Sequence, residues 1–178
     1  MQNESPVKTI YLLRHARAAQ GADLEDRDRP LNSDGIAECA KLTAHLRAME
    51  IHLDLVLCST ATRVRETFAE IVQALTLTPA SGPPQVQFVE ALYLAGPSQL
   101  LDAIQTCPAE VNSVLLIAHN PGLEEITRAL LDRPGAEQAS RSFAGLPTAA
   151  LVKISSETTA WADVDLDACQ LEGVVAPI

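Results

Sequence analysis

Three short apolar runs, Lys8 to Leu13, Leu55 to Cys58 and Ser113 to Ala118, recur along the chain, and each is followed by a helical pattern. Runs this short and partly β-branched suit strands buried on both faces, and their alternation with helices specifies an α/β fold. The architecture expected is a three-layer α/β/α domain with a mostly parallel central sheet.

The intervening segments carry helical periodicity. Asn32 and Ser33 offer caps for a helix whose buried face holds Leu42, Leu46 and Met49, and Val64, Phe68, Ile71, Val72 and Leu75 share one face of the next. Ser98 starts a third helix carrying Leu101 and Ile104. A fourth follows the third strand, with Asn120 at the N-cap, Pro121 at the first helical position, Glu124 and Glu125 near its positive end, and Leu123, Ile126 and Leu130 buried. The stretch TPASGPPQVQF reads as a surface connection and Ala149 to Ile154 as a later strand; the pattern beyond Trp161 is not assigned. The whole chain, residues 1–178, reads as one domain.

Composition excludes several function classes. Aromatic residues make up only 3% of the chain and the net charge is −10, which leaves neither a stacking platform nor a basic face for nucleic acid. No run of about 18 apolar residues is present for a membrane span, and the N-terminal apolar stretch is too short for a secretory signal, so a cytoplasmic protein is expected. Cys39, Cys58, Cys107 and Cys169 are scattered, with no C-x-x-C pair and no zinc-ligand spacing. They read as reduced thiols packed as small hydrophobes, and no metal or other cofactor is expected.

In open α/β sheets, ligands bind beyond the carboxyl ends of the strands. Arg14-His15 follows the first strand, Ser59-Thr60-Ala61-Thr62-Arg63 the second and His119-Asn120-Pro121 the third. Two arginines and two histidines thus meet at one rim, where a phosphate would be held by bidentate guanidinium groups. Neither glycine-rich phosphate motif is present, so side chains must replace that cradle. A neutral imidazole can also act as a nucleophile, and His15, beside Arg14, is the better candidate. A metal site built on His15 and His119 lacks carboxylate partners.

These residues carry a resemblance. LLRHARA resembles the RHG signature of the histidine phosphatase superfamily, with Ala16 in place of the commoner glycine. DRPLNSDG at 28–35, CSTATRVRET at 58–67, Glu90-Ala-Leu-Tyr93, LLIAHNPGL at 115–123 and PTAAL at 147–151 extend it in order over most of the chain. The short length, the RHA variant, D-R-P-L and the His-Asn-Pro step look most like the SixA-type phosphohistidine phosphatase branch.

The resemblance implies a phosphoglycerate mutase-like fold and metal-independent phosphate hydrolysis through a covalent phosphohistidine. His15 would be the nucleophile, Arg14 and Arg63 would clamp the phosphoryl oxygens, and His119 would stabilise the transition state. These roles suit a loose transition state whose charge sits on the equatorial oxygens. The expected substrate is a phosphohistidine side chain on a partner protein, with small phosphomonoesters as the alternative and a non-catalytic phosphate-binding module as a reading of another class. Glu90 transfers as the acid that protonates a leaving oxygen in the wider superfamily. An imidazole leaves without that help, so here Glu90 would tune rather than catalyse. Arg17, Ser59 and Asn120 are secondary substrate-binding candidates. Arg17 and Arg29 face a choice between substrate and the acidic loop DLEDRD, Ser59 between the pocket and a helix cap, and Asn120 between contact and cap. His45 and His52 read as surface or packing residues.

Overall fold

Alternate side chains along the central strands are committed to opposite sides of one sheet, which is why the runs are apolar throughout. The computed structural model describes residues 8–21, 23–49, 51–75, 82–133 and 143–177. Strands β1 (Lys8–Arg14), β2 (Leu55–Ser59), β3 (Gln85–Val89), β4 (Ser113–Ala118), β5 (Leu151–Ser156) and β6 (Cys169–Val175) form a six-stranded sheet in the order β3-β2-β4-β1-β5-β6. The β1–β4, β2–β4 and β2–β3 pairings are parallel, and β5 runs antiparallel to both β1 and β6. The sheet is therefore mostly parallel, as expected.

Helices α1 (Ser33–Met49) and α2 (Thr62–Leu75) cover one face, where Tyr11, Leu13, Val56, Cys58, Leu115 and Ile117 pack with Leu42, Leu46 and Ile71. Helices α3 (Pro97–Gln105) and α4 (Gly122–Leu131) cover the other, where Ile10, Leu12, Leu55, Leu57, Val114 and Leu116 meet Leu100, Leu123 and Ile126. Burying each such aliphatic side chain contributes about 1.5–3 kcal/mol, so the two layers supply most of the driving force. No helix among the described residues is long and apolar enough to cross a membrane.

Several local expectations need correction. The buried stripe of α1 runs through Gly35, Cys39, Leu42 and Leu46 and stops before Met49, the last helical residue, which is 38% exposed. Helix α3 starts at Pro97, one residue before Ser98, because the Gln99 side chain accepts the Gly96 N–H at 3.0 Å and closes the first turn there. Its best buried residues are Leu100 and Ile104, with Leu101 packed at the margin.

Of TPASGPPQVQF, residues 78–81 lie outside the described residues, whereas Gln85–Phe88 belong to β3, not to a connection. That edge strand alternates Val and Phe with polar residues and is mostly exposed, so it lacks the continuous apolar run that marks the interior strands. Beyond Trp161 the chain makes two short 3-10 turns and then β6. Trp161 is itself buried, its indole N–H donating to the Val111 carbonyl at 2.7 Å beside Lys8 Nζ, which donates to the same oxygen at 2.6 Å.

Candidate active site

Strands β1 and β4 are register partners, with Arg14 opposite Ala118, so the residues one step further, His15 and His119, emerge side by side. The His15 backbone N–H still donates to the Ala118 carbonyl at 3.2 Å, and the imidazole centroids lie 5.1 Å apart with the rings inclined at 61°. Arg63 enters from the first turn of α2 and is 2% exposed. Its Nε donates to His15 Nε2 at 3.2 Å and its NH2 to His119 Nδ1 at 3.3 Å. Ser59, at the end of β2, lies 2.8 Å through Oγ from His119 Nε2. Four of the expected residues thus share one hydrogen-bonded cluster, and Ser59 faces the pocket rather than capping α2.

The partners determine the tautomers. A carbonyl oxygen only accepts, so the 2.8 Å contact of His15 Nδ1 with the Ala16 carbonyl puts the proton on Nδ1. A guanidinium only donates, so His15 Nε2 and His119 Nδ1 carry lone pairs, leaving the His119 Nε2–H for Ser59 Oγ. Burial pushes the His15 imidazole down to about 4, helped by Arg63, Arg14 and Arg29 and opposed by the Ala16 carbonyl. Burial, with the neighbouring His15, Arg63 and Arg14, pushes His119 down to about 3 against the pull of Asp26. Both rings are neutral at pH 7, and His15 Nε2 keeps a lone pair that can attack an electrophile once the Arg63 hydrogen bond yields.

Arg14, the last residue of β1, is close enough to His15 to help lower its pKa. Its NH1 donates to the Leu146 carbonyl at 2.6 Å, and its buried Nε has no protein partner among the described residues. An unpartnered guanidinium N–H beside a nucleophilic nitrogen suits an oxyanion. Asn120 donates through Nδ2 to the same Leu146 carbonyl and to Glu124, both at 3.0 Å. Its Oδ1, the atom a cap would use, has no partner among the described residues, and α4 begins at Gly122 with Pro121 in the cap position. A Cβ on Gly122 would meet the Ala95 carbonyl oxygen at 2.1 Å, so this close approach requires glycine.

The remaining candidates are held by carboxylates or hydroxyls. Arg17 is exposed and pairs with Glu38 and Asp34 of α1, not with the acidic loop. Arg29 does pair with that loop, contacting Asp26 at 2.7 Å. Glu90 sits at the mouth against Arg27 and the Thr60 hydroxyl, and these hydrogen bonds lower its pKa. It is therefore held ionised, a poor state for a proton donor. Ala16 fills the position of the family glycine with a buried methyl in the α1/α2 layer, while its N–H donates to Thr67 Oγ1 at 3.1 Å.

Asp26, Arg27 and Tyr93 also belong to this site, although strand ends alone do not point to them. Asp26 Oδ2 accepts from Arg63 NH2 at 2.9 Å and from the Tyr93 hydroxyl at 2.8 Å, and the Tyr93 ring stands edge-on to His119 at 5.6 Å. Arg27 lies 4.8 Å over the Tyr93 ring. The alternating signs of Asp26-Arg27-Asp28-Arg29 were the available signal, because such a run on a loop folds back only where opposite charges await it. Among the described residues no cluster of three or more histidine, cysteine or carboxylate side chains could hold a metal ion.

Residues 10–83 match the family model of the histidine phosphatase superfamily (branch 1). An uncharacterised protein of Mycobacterium tuberculosis (strain ATCC 25618 / H37Rv) is 32% identical over 172 residues, covering 93% of this chain and 99% of the relative. Phosphohistidine phosphatase SixA of Escherichia coli (strain K12) is 30% identical over 114 residues, 63% of this chain and 67% of the relative. A solved structure from Nakamurella multipartitia, assigned as a SixA phosphohistidine phosphatase, is similar at a TM-score of 0.78 and 28% identity, covering 99% of each chain.

Proposed function

We propose that this chain, which belongs to the SixA-type branch of the histidine phosphatase superfamily, removes phosphate from phosphohistidine on a partner protein in the cytoplasm. The observation that carries the reading is the tautomer of His15: with Nδ1–H on the Ala16 carbonyl, Nε2 presents its lone pair beside Arg63. The phosphoryl group enters between Arg14, Arg63 and His119. His15 Nε2 attacks phosphorus in line, forming a P–N bond as the bond to the carrier nitrogen breaks. The carrier takes the electron pair and departs as neutral imidazole, its other nitrogen retaining a proton.

The arginines meet the charge on the equatorial oxygens, and the Ala16 carbonyl stabilises the positive ring of the phosphorylated histidine through Nδ1–H. Water then attacks phosphorus, releasing inorganic phosphate, returning the electron pair to Nε2 and passing its proton to phosphate oxygen or solvent. The leaving imidazole needs no proton donor, which agrees with a Glu90 held ionised by Arg27 and Thr60. Every charge in this route is met by the chain's own side chains, so turnover without added metal is part of the proposal.

Incubation with a phosphohistidine-bearing protein and with a panel of small phosphomonoesters, without added metal, tests it. Dephosphorylation of the protein, with an acid-labile phosphoenzyme that vanishes in His15→Ala, is the expected result. Turnover confined to the esters would replace the substrate, and full activity in His15→Ala would remove the assigned nucleophile.

A further inference from the structure

Asp26 is a carboxylate set against the guanidinium to which the proposed mechanism assigns the phosphoryl group. Arg63 gives NH2 to its Oδ2 at 2.9 Å and NH1 to its backbone carbonyl, while Arg29 contacts Oδ1 at 2.7 Å. Tyr93 donates its hydroxyl to Oδ2 at 2.8 Å. These contacts, the Tyr93 hydrogen bond foremost, hold the carboxyl down to about 2, so it is an anion at any physiological pH.

The charges at the pocket can be paired off. Arg27 is matched by Glu90, and the exposed Arg17 is outnumbered by its two carboxylates, Asp34 and Glu38, so neither adds positive charge to the pocket. Arg63 and Arg29 share Asp26, so that group of two cations and one anion keeps a single positive charge. Arg14 has no carboxylate at ion-pair distance among the described residues, and its neighbour Glu124 is paired with Arg128. Within the group formed by Arg14, Arg29, Arg63 and Asp26, one charge on Arg14 and one shared by Arg29 and Arg63 remain, which equals the charge of a phosphoryl dianion. The next cation, the exposed Arg65, is turned away onto the Thr60 carbonyl and the Phe88 ring, 4.3 Å from its centroid.

We propose that Asp26 determines specificity, holding the pocket's charge to that of one phosphoryl dianion and selecting carriers that add no negative charge near the phosphorus. An imidazole side chain is such a carrier; a carboxylate-bearing phosphomonoester is not. This rests on the proposed function only in taking Arg63 as a phosphoryl ligand.

Equilibrium binding reads the inference without turnover. Tungstate affinity is measured by calorimetry for the full chain, for Asp26→Asn and Asp26→Glu, and for Arg63→Ala, with thermal melting to verify folding. Phenyl phosphate and phosphoglycolate then compete for the site. In Asp26→Asn, tungstate should bind more tightly, on the order of tenfold, and phosphoglycolate should gain more than phenyl phosphate. Asp26→Glu, which keeps the charge, should stay near wild type. Unchanged or weaker tungstate binding in a folded Asp26→Asn, or equal gains for both competitors, would overturn the inference. Loss of tungstate binding in Arg63→Ala alongside an indifferent Asp26→Asn leaves the proposed function standing, whereas retention of tungstate by Arg63→Ala removes the ligand role on which both depend.

Discussion

Arg63 Nε donates to His15 Nε2 at 3.2 Å, so the atom proposed to attack phosphorus is held by the group proposed to bind the oxygens of its target. The hydrogen bond aims the ring and keeps it unprotonated, and it must yield as the phosphoryl group arrives. Lysine offers one flexible point charge and cannot reach His15, His119 and Asp26 together. Arg63→Lys should lower kcat/KM by about 10²–10³-fold, the scale for removing an oriented donor from a transition-state site, with little change in secondary structure. Steady-state kinetics with circular dichroism checks this.

Acid stability follows from the same burial. His15 and His119 ordinarily titrate near 6.5 and are pushed down to about 4 and about 3, so between about 6.5 and 4 the unfolded chain binds more protons than the folded one. Stability is therefore complete above about 6.5 and falls as pH drops through that window, steepest where both rings protonate only on unfolding. Asp26 adds a loss at still lower pH, from its ordinary 3.8 down toward about 2. Denaturant melts at stepped pH should show the slope, and His119→Gln should reduce it by about one proton between pH 4 and 6.

Glu90 is exposed and ionised by its contacts with Arg27 and Thr60. A general acid in the rate-limiting step contributes about 10²–10⁴-fold, so Glu90→Gln should cost less than about tenfold on phosphohistidine. On an alkyl phosphomonoester, whose alkoxide needs a proton, turnover should be slow in both wild type and Glu90→Gln, because an ionised Glu90 has no proton to give. Comparing kcat on the two substrate classes decides it.

Gly122→Ala probes the scaffold. The added methyl would lie 2.1 Å from the Ala95 carbonyl oxygen, and backbone must move to admit it. A destabilisation of about 1–3 kcal/mol in urea unfolding is expected, with activity reduced because α4 begins three residues after His119.

Much of this arrangement was legible in the chain, and its limits have physical causes. Interior strands announce themselves because both faces are buried, and strand ends in an open parallel sheet converge; Arg14, His15, Arg63 and His119 could therefore be brought together from order alone. Strand β3 was hidden because an edge strand with exposed faces has no apolar run to betray it. Asp26 and Tyr93 escaped because their roles lie in a contact across 67 residues that no local period encodes. Asn120 looked like a cap because its residue type suits one, but its Nδ2 is anchored on the Leu146 carbonyl and Glu124 and its Oδ1 meets no N–H of the helix.

The pairing of Arg14 with Ala118 has a last implication. Because His15 and His119 each stand one residue past that rung, their separation is metered by the sheet's own ladder and not by any loop. Surface segments around the mouth can lengthen, shrink or change partner over evolutionary time while the two imidazoles stay in gauge. The cost is rigidity of another kind: inserting or deleting a single residue in β1 or β4 would turn one histidine to the opposite layer, so the inner strands have almost no freedom to drift.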